Sequence, residues 1–139
     1  MAFSGARAGR AAIDRTLGAL PGRWRCLLHG RDRLVIGPTG AFAVGDDRPS
    51  VEQAAERVAR AAGEVRDFLA SVGSWAPFVD ALVVVDADAM RMDRATIVPS
   101  RLLTDVLTSG PQLLADNEVD RIAERLWRLE PTDRTSAIH

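Results

Sequence analysis

Residues Arg31 to Val44 read RDRLVIGPTGAFAV, and the fold turns on how that stretch is parsed. Leu34, Val35 and Ile36 form a continuous apolar run, which suits a strand covered on both faces. Pro38-Thr39-Gly40 follows. Proline presets one φ value and glycine supplies a positive one, so a tight turn is expected there. Ala41 to Val44 is a second apolar run. Upstream, Trp24 to His29 (WRCLLH) has the length and apolar content of a strand, and Gly30 turns the chain. Three short strands joined by tight turns predict an antiparallel meander.

Outward from the meander, residues 5 to 20 predict a helix with Ile13, Leu17 and Leu20 on one face, ended by Pro21-Gly22. Gly45 to Pro49 reads as a polar loop. Ser50 and Gln53 form a capping-box pattern that opens a long helix. Val51, Ala54, Ala55, Val58, Ala62, Val65, Phe68, Leu69 and Val72 mark its apolar face, and Gly73-Ser74 its stop. Phe78 to Val85 is rich in β-branched residues and predicts a strand. The long helix before it therefore suggests a crossover unit. Ala95 to Val98 predicts a shorter strand, and Pro99-Ser100 a helix to about Thr108. Asp116 or Asn117 caps a last helix, with Val119, Ile122, Ala123, Leu126 and Trp127 on one side. The expected organisation is a single domain over 1–130 and a flexible tail over 131–139.

Composition narrows the class. An apolar content of 47% argues for a folded globule. The chain has no lysine, so all 18 basic residues are arginine. Net charge is -1, but residues 1–48 carry eight arginines against four aspartates, while residues 49–139 carry ten arginines against fifteen acids. Such asymmetry fits either a polyanion-facing surface or two solvated faces. Cys26 is the single cysteine, read as a small buried hydrophobe, and it allows no intrachain disulfide. Neither His29 nor His139 stands at zinc-ligand spacing from it. With no signal-peptide pattern and no long apolar run, a cytoplasmic protein without membrane contact is expected.

The segment from Asp32 to Val44 resembles the heart of the nuclease-related (NERD) domain, a branch of the PD-(D/E)XK restriction-endonuclease-like fold. The element order from about residue 5 to 129 is similar to that family as well. The resemblance implies an αβββαβ core, a mixed sheet flanked by helices, with an additional C-terminal strand and helices. It also implies nuclease-like chemistry with proposed magnesium dependence. In that family an early helix gives a glutamate, the second strand opens with an aspartate, and the third strand ends with a carboxylate and a lysine. Asp32 matches the strand-opening aspartate. Gly9 stands at the glutamate's place, Gly45 at the third-strand carboxylate's and Asp47 at the lysine's.

Phosphodiester cleavage builds negative charge in its transition state, which divalent cations and a nearby ammonium offset. One matching position of four therefore points to a catalytically degenerate domain that binds nucleic acid or a protein partner. An alternative is an active nuclease with magnesium or manganese rebuilt on Asp32, Asp46 and Asp47, since hard cations take carboxylate oxygens. The competing reading of Gly45 to Pro49 is a plain turn. Arg7, Arg10, Arg23, Arg25, Arg31 and Arg33 are the candidates for phosphate contact. A third alternative is a structural protein that pairs as a homodimer through its wide helical faces.

Overall fold

The computed structural model describes residues 11–72, 79–86, 89–92 and 94–138, with 129–138 as backbone alone. Within them the chain is α/β, with four helices around a mixed, open six-stranded sheet. Strands β1 (Arg25–His29), β2 (Asp32–Gly37) and β3 (Gly40–Asp46) form the expected antiparallel meander. His29 faces Asp32 across a two-residue loop. Gly30 takes φ 60° at its first position, where an L side chain would be strained. The second turn is tied down from outside. The Leu113 and Leu114 amides donate to the Pro38 carbonyl at 2.7 and 3.1 Å, and the Thr39 hydroxyl donates to the Leu107 carbonyl.

Helix α1 covers residues 11–18; residues 5–10 of the expected helix lie outside the described residues. Helix α2 (Val51–Ser71) starts as its sequence requires, with the Ser50 hydroxyl accepting from the Gln53 amide at 3.2 Å. Its expected stop at Gly73-Ser74 falls outside the described residues, as does Phe78. Strand β4 (Val79–Val85) then runs parallel to β3, which makes β3-α2-β4 the expected crossover. A two-residue strand β5 (Arg91–Met92), absent from the sequence reading, pairs antiparallel with β6 (Thr96–Pro99). Strand β6 lies parallel to β4. A 3-10 turn at Ser100–Leu102 leads into α3 (Leu103–Thr108), and α4 spans Asp116–Ile138. The α4 backbone stays helical past Pro131, where a polar tail was expected; the proline removes one amide from the ladder without ending the helix. Strand order is β1-β2-β3-β4-β6-β5.

Side chains alternate across the sheet and build two cores. One face carries Leu27, Leu34, Ile36, Ala43 and Val83 beneath α2 and α4. The other carries Val35, Phe42, Val44, Leu82 and Val84 beneath α1 and α3. Each buried Val or Leu contributes about 1.5–3 kcal/mol of transfer free energy, so both faces are strongly specified. Four of the six alanines of α2, Ala54, Ala55, Ala61 and Ala62, are buried and let its backbone come close to the sheet.

Candidate functional site

Asp32 and Asp46 are the two buried aspartates of the described residues, at 3% and 4% exposure. They open β2 and close β3, so they sit at the same end of the sheet. Burying a carboxylate is costly unless it is paired and hydrogen-bonded. Its partner comes from α2. The Arg57 Nε donates to both Asp32 oxygens, at 3.1 and 3.2 Å, and its Nη2 lies 3.0 Å from Oδ1.

The same guanidinium reaches past the end of β3. Its Nη2 donates to the Asp46 carbonyl at 3.2 Å and stands 3.7 Å from the Asp46 Oδ1. Its Nη1 donates to the Arg48 carbonyl. Arginine suits this position because its planar head offers five donors in a fixed fork. The Asp46 carboxylate also accepts from the Arg48 amide at 3.3 Å and lies 3.9 Å from Arg31 Nη2.

Gly45 explains how the guanidinium fits. A Cβ built there would stand 2.5 Å from Asp32 Oδ1, 2.7 Å from a Val58 methyl and 3.0 Å from Arg57 Nη2. The side chain that Gly45 lacks is thus the room that the Asp32–Arg57 pair fills. Gly45 and Asp46 belong to β3 rather than to the loop assigned from sequence, and alternation turns them to opposite faces. Asp32 lies on the α2 face. Asp46 helps line a shallow cleft on the α1 face with Ile13, Asp14, Arg31, Arg33 and Val44.

Among the three metal candidates, then, Asp32 and Asp46 share an arginine. Asp47 is half-buried beyond β3, with no hydrogen bond or ion pair among the described residues. No group of three or more His, Cys, Asp or Glu side chains among the described residues is arranged to hold a metal ion. His29, the residue opposite Asp32 in the hairpin, is buried, with Nε2 3.7 Å from Glu64 Oε1.

The six candidate phosphate contacts divide differently. Arg7 and Arg10 lie outside the described residues. Arg23 Nη2 and Arg25 Nη1 both pair with Asp120 of α4, at 2.6 and 3.0 Å. The Arg23 hydrogen bond, with help from Arg25, holds the Asp120 carboxyl below its ordinary range, and Asp120 raises Arg23 in turn. Arg33 grips Asp14 of α1 through Nε and Nη2, at 3.1 and 3.3 Å. Arg31, over Asp46, is the loosest of the described four.

Cys26 is exposed, not buried as its apolar run suggested, because alternation sends Leu27 into the core. Partial burial of its sulfur still pushes the thiol pKa up, which disfavours a reactive thiolate. Sequence reasoning missed Arg57, Glu64 and Asp120. A signal for Arg57 was present: it stands three residues after Ala54 and four before Ala61, on the buried stripe of α2.

Compared with family models, curated proteins and solved structures, the chain has no match in any of the three. No helix among the described residues is long and apolar enough to cross a membrane.

Proposed function

We propose that this chain is a nuclease-like domain, of the nuclease-related branch, whose catalytic centre has become a structural ion pair, and that it works as a binding module. The succession α1-β1-β2-β3-α2-β4 is compatible with an αβββαβ core, with β5, β6, α3 and α4 as additions. The observation that carries the reading is the Arg57 guanidinium seated over Gly45 against Asp32. A metal ion offers open positions that activate water and polarise a phosphoryl oxygen. A guanidinium held by protein oxygens offers neither, and it is too basic to act as a general base.

Of the two partner classes, the charges favour a protein. Arg23, Arg25 and Arg33 already spend their charge on Asp120 and Asp14, which leaves less for phosphates. The lone unpaired-in-sequence cysteine fits a cytoplasmic setting as part of the same proposal.

The test is direct. Purified protein is incubated with single- and double-stranded DNA and RNA in magnesium or manganese, beside Asp32→Ala. No cleavage above the variant's background is expected. Cleavage by the native chain that Asp32→Ala abolishes would overturn the proposal. A gel shift at low salt that weakens steeply with added salt would move the partner to nucleic acid.

A further inference from the structure

The two edges of the sheet differ. At one edge β5 has two residues, flanked by Arg94, and short charged edges discourage pairing with another chain. At the other, β1 has five residues with neither proline nor a carboxylate, and no strand pairs with its outer side among the described residues.

The register says which groups face outward. His29 and Asp32 close a two-residue hairpin and so exchange hydrogen bonds with one another. Alternation then directs Leu27 and Arg25 toward β2 as well, and turns the amides and carbonyls of Cys26 and Leu28 away from it. Those same two residues have exposed apolar side chains on the α1 face, Leu28 at 55%.

We infer that the outer edge of β1 receives a second copy of this chain, antiparallel, with a twofold axis at Leu27. The occupant follows from self-complementarity. With Leu27 facing its own copy, Cys26 falls opposite Leu28 twice. Each outward amide and carbonyl gains a partner, and four exposed apolar side chains form one strip. Arg25 falls opposite His29, and each Arg25 already pairs with Asp120 of its own copy, a carboxylate it shares with Arg23.

Helix α4 adds to the same contact. It packs along β1 and holds Arg23 and Arg25 through Asp120. Trp127 follows Asp120 by two helical turns, on the same side of the helix, and is 53% exposed. The twofold brings that side of α4 toward its equivalent.

The experiment uses the full chain in sedimentation equilibrium over a wide concentration range, beside Leu28→Arg and Leu28→Cys. A dimer is expected, weakened about tenfold or more by Leu28→Arg with its circular dichroism unchanged. In Leu28→Cys the introduced thiol faces Cys26 of the other copy in a hydrogen-bonded pair. The roughly 5.5 Å Cα separation of such pairs suits a disulfide, so a mild added oxidant should give a covalent dimer in high yield. A monomer at every concentration overturns the inference, including one that instead captures a strand from another protein. A dimer indifferent to Leu28→Arg, or one that Leu28→Cys fails to cross-link, overturns it too.

Discussion

A β-carbon on Gly45 would lie 2.5 Å from the Oδ1 of Asp32, closer than side chains pack. The neighbour cannot easily yield, because Asp32 is fixed by Arg57 and the next contact, at 2.7 Å, is the Val58 side chain in the α2 core. Gly45→Ala should therefore cost about 2 kcal/mol, measured by urea unfolding. A loss under a few tenths would mean that the strand end is looser than this geometry.

Arg57→Ala leaves Asp32 buried beside no cation, and the expected loss is about 3 kcal/mol. Arg57→Lys should recover only part of it, since an ammonium cannot reach Asp32, the Asp46 carbonyl and the Arg48 carbonyl together. A double-mutant cycle with Asp32→Asn should show strong coupling. Additive losses would separate the two residues.

Asp120 supplies a pH signature. Its folded pKa is depressed by the Arg23 hydrogen bond, below the ordinary value of 3.8. The depressed direction means that its stabilisation is complete above about that value and fades as pH falls through the folded pKa. Melting temperatures of the native chain and Asp120→Asn should differ at neutral pH and converge in acid. A gap that stays constant down to pH ~2 would remove the linkage.

Among the described glycines, Gly37 is the other position where a side chain has no room. A Cβ there would meet the Trp24 ring at 2.2 Å, and that ring is anchored by its Nε1, which donates to the Pro21 carbonyl at 2.9 Å. Gly37→Ala should push the indole outward. With Trp75 and Trp127 replaced by Phe, the remaining emission should shift to the red. An unchanged spectrum would show that the turn moves instead.

The meander and α2 were legible because their punctuation is local. Pro38 and Gly40 set the second turn, Gly30 the first, and Ser50 caps the helix. β5 was illegible because two residues carry no period. Cys26 was misjudged because a short apolar run does not say which parity faces the core, and Leu27 took that place. The site was half visible. Asp32 stood out as an acid opening an apolar strand, whereas Gly45 was assigned to a loop and so its place inside β3, where a glycine often marks a close approach, was missed. What approaches comes from α2, twelve residues after Gly45, and only the crossover brings Arg57 there.

Anomalous diffraction from a crystal of the native chain soaked in manganese would read the cluster itself. The account predicts no manganese bonded to the Asp32 carboxylate, with the Arg57 guanidinium still seated over Gly45. Manganese bound to Asp32 and Asp46, with Arg57 swung away, would contradict it.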